Sequence, residues 1–130
     1  MVEHRIGALR RSVGRYHRPP PAPGVDFARA RIWLRADAPF ARHVRNPLLP
    51  ATPSPLRLSS LAAAAAELLL EIDEFFRYYQ QPPTTARAHP LFGPLGFADW
   101  LVFHFKHVGH HFQQFHLLTD RLLPRAAAAA

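Results

Sequence analysis

The sequence predicts an all-α protein, folded as an antiparallel up-and-down helical bundle. Apolar residues recur at steps of three and four along three long stretches, as they do on the buried face of a helix. Proline-rich segments separate these stretches, and helices joined by such crossings pack as antiparallel neighbours. At 130 residues the chain is long enough for one domain. We place that domain at residues 1–123 and an alanine-rich tail at residues 124–130.

The first helix is predicted over residues 1 to about 17, because Val2, Ile6 and Leu9 keep helical spacing and a proline cluster follows. A short helix is predicted at about 26–37, with little regular structure after it. Residues 46–55 contain four prolines, which predict an extended connector rather than a helix.

The next helix is predicted to begin at Ser59 or Ser60, either of which can cap it, and to end at the prolines 82–83. Its alanines and leucines have high helix propensity. Its acidic residues are expected on a solvated face. The predicted inner stripe consists of Leu61, Ala65, Leu68, Ile72, Phe75 and Tyr79.

A loop rich in glycine and proline is predicted over residues 88–100, leading into a last helix that ends at Pro124. Asp99 is placed in the first turn of this helix, where a carboxylate suits the helix dipole. The predicted buried stripe of the helix contains two imidazoles, and it consists of Phe97, Leu101, His104, Val108, His111, Phe115, Leu118 and Leu122.

Composition and charge exclude several classes of function. Without cysteine, any metal must be held by imidazole, carboxylate and water. The longest apolar run, residues 61–70, is too short to span a bilayer, and no signal peptide is recognisable, so we expect a cytoplasmic protein with no membrane partner. Residues 1–57 carry eleven arginines against three carboxylates, but these arginines are scattered and accompany no nucleic-acid motif. No nucleic-acid partner is therefore expected.

Residues 103–116 hold five of the nine histidines. His107 and His111 are four residues apart and can point at a common spot on one side of a helix, whereas His110 lies about 100° round the axis. Burying several imidazoles without a shared partner would cost roughly 1–3 kcal/mol for each unsatisfied polar atom. This favours metal binding over two alternatives, in which the histidines are structural core residues or serve a surface role such as nucleic-acid contact.

Three segments together resemble the C-terminal signature of the DinB-like superfamily of metal-binding four-helix bundles. They are His89-Pro-Leu-Phe-Gly-Pro-Leu, Asp99-Trp100 and Lys106-His-Val-Gly-His-His-Phe-Gln-Gln-Phe. The resemblance implies a histidine pair followed by a glutamine, which His107, His111 and Gln114 match. It also implies a third histidine from an earlier helix, which His4 matches.

The implied site is a triad of His4, His107 and His111 that holds a divalent metal, Zn²⁺ or Ni²⁺, with water in the open positions. By helical angle His4 lies about 160° from the apolar stripe of its own helix, so its helix would have to be covered on both faces. His104 is the substitute third ligand. The family has a further helix before this point, so we expect the bundle's first helix to be missing and the chain to form dimers.

The resemblance implies a metal-dependent transferase or hydrolase acting on a small-molecule substrate, for example with a low-molecular-weight thiol. His104 or His110 would then carry protons. Ligating histidines normally donate their other ring proton to a carboxylate, and Glu71, Asp73 and Glu74 are the candidates. The alternative is a non-catalytic helical binding or structural domain whose histidines are core or surface residues.

Overall fold

The computed structural model describes residues 1–16, 20–21, 23–41, 52, 54–81 and 85–118. In these ranges the protein is mostly helical, with one two-stranded sheet that the all-α prediction missed. The elements are α1 (Val2–Ser12), α2 (Phe27–Arg35), α3 (Leu61–Gln80), β1 (Arg87–His89), β2 (Gly93–Leu95) and α4 (Phe97–Gln114). The predicted tail and most of the connector predicted at 46–55 lie outside the described residues.

Helix α1 ends at Ser12, about five residues earlier than predicted. Gly14 follows with φ +79° and donates its N–H to the carbonyl of Arg11, so a glycine turn stops the helix before the proline cluster is reached. The hydroxyl of Ser12 donates to the carbonyl of Leu9 at 2.7 Å.

Helix α3 begins after Ser60, whose side chain accepts a hydrogen bond from the N–H of Ala63 at 3.1 Å. This confirms one of the two predicted caps. The predicted inner stripe is correct only toward the C-terminal half of the helix. Phe75 is 2% exposed, whereas Leu61, at the other end of the stripe, is 73% exposed.

The segment predicted as a loop before α4 contains the β1–β2 hairpin, in which His89 lies opposite Gly93. Gly93 has φ +69°, and a Cβ atom at this position would lie 2.9 Å from Cγ of Phe27. Glycine is therefore required both by the turn and by the close approach of α2. Phe92 and Leu95 of the hairpin are buried.

Helix α4 ends at Gln114 and not at Pro124 as predicted. The chain leaves the helical conformation within two residues, since His116 has φ +57°. The predicted stripe was also displaced, because Phe97 and Leu101 are 40% and 42% exposed. The buried face of α4 consists of Trp100, Phe103, His104, Gly109 and Gln113.

The core lies where α1, α3, α4 and the hairpin meet. Arg35 of α2 forms a two-bond ion pair with Asp99 at 2.7 and 2.9 Å, which fastens α2 to the first turn of α4. Among the described residues no helix is both long and apolar enough to cross a membrane. The buried apolar cluster consists of Ala8, Leu9, Val13, Leu34, Phe75, Phe92, Leu95, Trp100 and Phe103.

Candidate metal centre

Helices α1 and α4 bring His4, His107 and His111 together. The Nε2 atom of His107 lies 3.0 Å from Nε2 of His4 and 2.9 Å from Nε2 of His111. Each residue thus offers one ring nitrogen, and these nitrogens all lie within 4.8 Å of one another. The triad that the resemblance implied is assembled in space and could hold a metal ion.

The local structure explains why these side chains meet. His107 and His111 are one turn apart on α4, so their rings project from the same side of the helix. Helix α1 packs against both α3 and α4, which covers both of its faces. His4 can therefore face α4 while Ile6 and Leu9 are buried, as the sequence argument required.

Gln114 fixes the protonation of His111. Its side-chain oxygen Oε1 lies 3.0 Å from Nδ1 of His111, and an amide oxygen can only accept a hydrogen bond. The proton of the neutral ring must therefore be on Nδ1. The Nε2 atom of His111 is then a bare lone pair, directed toward His107.

Hydrogen bonds alone cannot satisfy the three Nε2 atoms. The Nε2 atom of His107 faces two other nitrogens, but in a neutral ring it carries either one proton or one lone pair. It can therefore make one good hydrogen bond and not two. A cation placed between the three nitrogens would accept all three lone pairs at once.

The spacing of the nitrogens fits such a cation. Nitrogens bound to one metal at about 2.1 Å lie about 3.0 Å apart in adjacent positions of an octahedron and about 3.4 Å apart in a tetrahedron. The separations of 3.0 and 2.9 Å match the octahedral value and fall slightly below the tetrahedral one. The ring nitrogens of His4 and His111 lie within 4.8 Å of each other, so all three could reach one ion, and three imidazole ligands would leave positions for water or substrate.

The electrostatic environment keeps the triad neutral. Burial, followed by the charges of His111 and Arg5, lowers the pKa of His4 to about 4. Burial is also the main cause that lowers the pKa of His107 and of His111. Neutral imidazole is the form that coordinates a metal, so the three rings are ready to do so at neutral pH.

Arg5 is a buried cation beside the triad that sequence reasoning did not find. It is 6% exposed, and its Nη2 donates to the carbonyl of His104 at 3.2 Å. Its Nη1 has no hydrogen-bond partner among the described residues. No sequence signal indicated its burial, because an arginine within an amphipathic helix normally extends to solvent.

His104 lies in the core and not with the triad, contrary to its expected role as substitute ligand. Its ring stacks on Trp100 at 5.6 Å and meets Phe75 edge-on at 5.1 Å. Burial lowers the pKa of His104 to about 3, so it is also unsuited to carry protons near neutral pH. His110 lies nearer the site, with its ring 5.3 Å from that of His111.

Of the predicted carboxylate partners of the triad, Asp73 is exposed and the other two are engaged elsewhere. Glu71 pairs with Arg10 and Arg15, and Glu74 pairs with Arg77. Within the described ranges, no carboxylate accepts a hydrogen bond from a triad histidine. For His111 the acceptor is the side-chain amide oxygen of Gln114 instead. Gln114 belonged to the sequence motif, but its position alone did not reveal its role.

Comparison of the chain with models of protein families, with curated proteins and with solved structures found no match. The resemblance to the DinB-like superfamily therefore stays a prediction. The arrangement of the three histidines is independent of it, since it rests on the atoms alone.

Proposed function

We propose that this protein binds a divalent metal, Zn²⁺ or Ni²⁺, through Nε2 of His4, His107 and His111, in the manner of the DinB-like proteins it resembles. One observation carries the proposal: Nε2 of His107 lies about equally close to the other two ring nitrogens, at 3.0 and 2.9 Å. Both metals accept imidazole ligands, and no thiolate is present to favour another ion.

The residues of such a site would have two roles, coordination of the ion and positioning of the ligands. The three imidazoles would hold the ion, and the hydrogen bond to Gln114 keeps Nε2 of His111 unprotonated and holds its ring in position. A divalent ion with open positions supplies Lewis acidity, which lowers the pKa of bound water or of a substrate thiol. We infer a transferase or hydrolase acting on a small molecule as the catalytic use of this site.

Metal content is the direct test. Protein purified without a histidine tag is expected to contain, or to take up from Zn²⁺ or Ni²⁺ solutions, one metal ion per chain. His111→Ala should abolish tight binding in calorimetric titration, because two protein ligands are too few for a stable site.

His116→Asn is the matched control for that variant. His116 is exposed and has φ +57°, a left-handed conformation that asparagine tolerates better than alanine does. This variant should bind metal as the parent does. Equal affinity in His111→Ala and the parent would refute the ligand assignment and leave the alternative of a non-catalytic helical domain.

A further inference from the structure

A cavity of about 160 Å³ lies between the residues that follow α1 and the start of β1. Two arginines and one tyrosine are among the residues that line it, and no acidic residue is. We call it the Arg11–Arg87 cavity. Its lining residues are Arg11, Gly14, Tyr16, Ala86, Arg87 and Ala88.

Arg11 differs from its neighbours Arg10 and Arg15. Arg10 and Arg15 both pair with carboxylates of α3. Arg11 makes no ion pair with any described residue, and its Nε is buried without a hydrogen-bond partner there. Its guanidinium carbon lies 5.6 Å from the centre of the Tyr16 ring.

Arg87 reaches the same cavity from β1. Its Nε donates to the hydroxyl of Tyr78 at 2.7 Å, which orients the guanidinium, while Nη1 and Nη2 donate to no described residue. Gly14 makes room for this group, because a Cβ atom there would lie 2.9 Å from Cζ of Arg87. The fork of Arg87 is thus positioned, with both of its terminal amino groups available.

Nε of Arg11 is a buried N–H without a partner among the described residues, which is unfavourable. An oxyanion bound in the cavity would accept a hydrogen bond from it and neutralise charge on the two arginines that line the cavity. Phosphate suits the cavity better than a carboxylate, because it carries more charge and offers oxygens to two guanidinium forks at once. We propose that the Arg11–Arg87 cavity binds a phosphate group, either as free phosphate or as the end of a phosphomonoester.

This site is separate from the histidine triad and does not depend on metal binding. The full-length chain would be titrated at low ionic strength with inorganic phosphate, phenyl phosphate and acetate, and amide shifts would be followed by NMR. We expect saturable shifts at Gly14 and Ala88 with both phosphates and weaker binding of acetate. Tighter binding of phenyl phosphate assigns the cavity to a monoester, and tighter binding of inorganic phosphate assigns it to the free ion.

Substitutions separate a specific site from general attraction by the positive chain. Arg11→Gln and Arg87→Gln should each weaken phosphate binding by about tenfold or more, since hydrogen bonds between charged groups are the strong ones. Arg29→Gln removes the same charge from an exposed position on α2 and should leave the affinity unchanged. If a glutamine variant fails to fold, Arg87→Lys keeps the charge but loses the fork, and should still weaken binding.

Three results would overturn the proposal. The first is the absence of saturable shifts at Gly14 and Ala88. The second is an equal loss of affinity in Arg29→Gln and Arg87→Gln, which would mean that only net charge matters. The third is acetate binding as tightly as phosphate, because a site built for two guanidinium forks should prefer the doubly charged ion.

Discussion

At the scale of single residues, the hydrogen bond from His111 to Gln114 is the contact on which the candidate metal centre most depends. It selects the ring tautomer and holds the ring in place, and losing such a contact typically weakens metal binding about 10- to 100-fold. Gln114→Leu should therefore bind Zn²⁺ about tenfold more weakly than the parent in a competition titration with a chromogenic chelator.

Gln114→Glu is the companion variant, because it keeps an acceptor for the Nδ1 proton of His111. Its carboxylate should hold that proton more strongly than the amide does, so metal affinity should be equal to the parent's or higher. Unchanged affinity in Gln114→Leu would mean that the tautomer is set by something other than this hydrogen bond.

Two core histidines make the fold sensitive to acid. Burial lowers the pKa of His89 and of His104 to about 3, against about 6.5 for an unfolded chain. The unfolded state therefore binds more protons between these values. The contribution of these histidines to the free energy of unfolding is fully present above about pH 6.5. On acidification it falls by about 1.4 kcal/mol per pH unit for each histidine, until the pH reaches the pKa of the folded state.

His104→Leu should make this dependence shallower by about 1.4 kcal/mol per pH unit, since one buried histidine is gone while the triad histidines contribute equally to the parent and the variant. Urea unfolding of metal-free protein at pH 7, 6 and 5, followed by circular dichroism, measures the slope. His116→Asn, which changes an exposed histidine, should retain the parent's slope. The same slope in all three proteins would show that the core histidines do not control acid stability.

At the scale of elements, a polar layer joins α1 to α3. Arg10 donates to Glu67 at 2.7 Å and to Glu71 at 2.8 Å, and Arg15 also pairs with Glu71. The side chain of Glu71 is only 6% exposed, so this carboxylate is held by the two arginines and not by water. Removing its charge would leave both guanidinium groups without their buried partner.

Glu71→Gln should therefore destabilise the protein by about 1–2 kcal/mol, because the buried carboxylate loses its charge while its arginine partners, 31% and 47% exposed, stay in contact with water. The matched control is Glu74→Gln on the same helix, whose side chain is 30% exposed and pairs with Arg77 three residues along. This substitution should cost about 0.5 kcal/mol or less. Chemical denaturation of the two variants at neutral pH compares them, and similar losses would mean that the polar layer does not hold α1 on α3.

The elements also show what the sequence could and could not reveal. Periodicity and capping located the three long helices, because Ser60 caps α3 and because Phe75 and His104 of the predicted stripes are buried in the core. The end of α1 was missed because the turn at Gly14 acts before the prolines that follow it. The hairpin was missed because strands of three residues are too short for an alternating pattern.

The site was predictable to a similar degree. A spacing of four placed His107 and His111 on one side of α4, and the resemblance supplied His4 from the other helix. The burial of Arg5 and the distance of His104 from the triad depend on how α1 and α4 are packed together. Local sequence does not encode that packing, so neither feature could be derived from it.

At the scale of the whole molecule, α3 and α4 expose large apolar side chains on their surface. The rings of Phe76 and Phe97 lie 6.2 Å apart and join the two helices across this surface. Each of its five side chains is at least 40% exposed, an arrangement typical of interaction surfaces. We call it the apolar band, and it consists of Leu69, Phe76, Phe97, Leu101 and Phe105.

We predict that the protein associates with itself through the apolar band, as the expected dimer requires. Leu101 and Phe105 are one turn apart on α4 and are 42% and 55% exposed, so glutamates at both positions would add charge to the band without opening the core.

Light scattering coupled to gel filtration should give a dimer or larger species for the parent and a monomer for the double variant, with unchanged helicity. The control for added negative charge is Arg29→Glu on α2, which should leave the association intact. Arg35 is not used for this purpose, because its substitution would break the ion pair to Asp99. A monomeric parent would show that these side chains stay in contact with water, and an associated double variant would place the interface on another face.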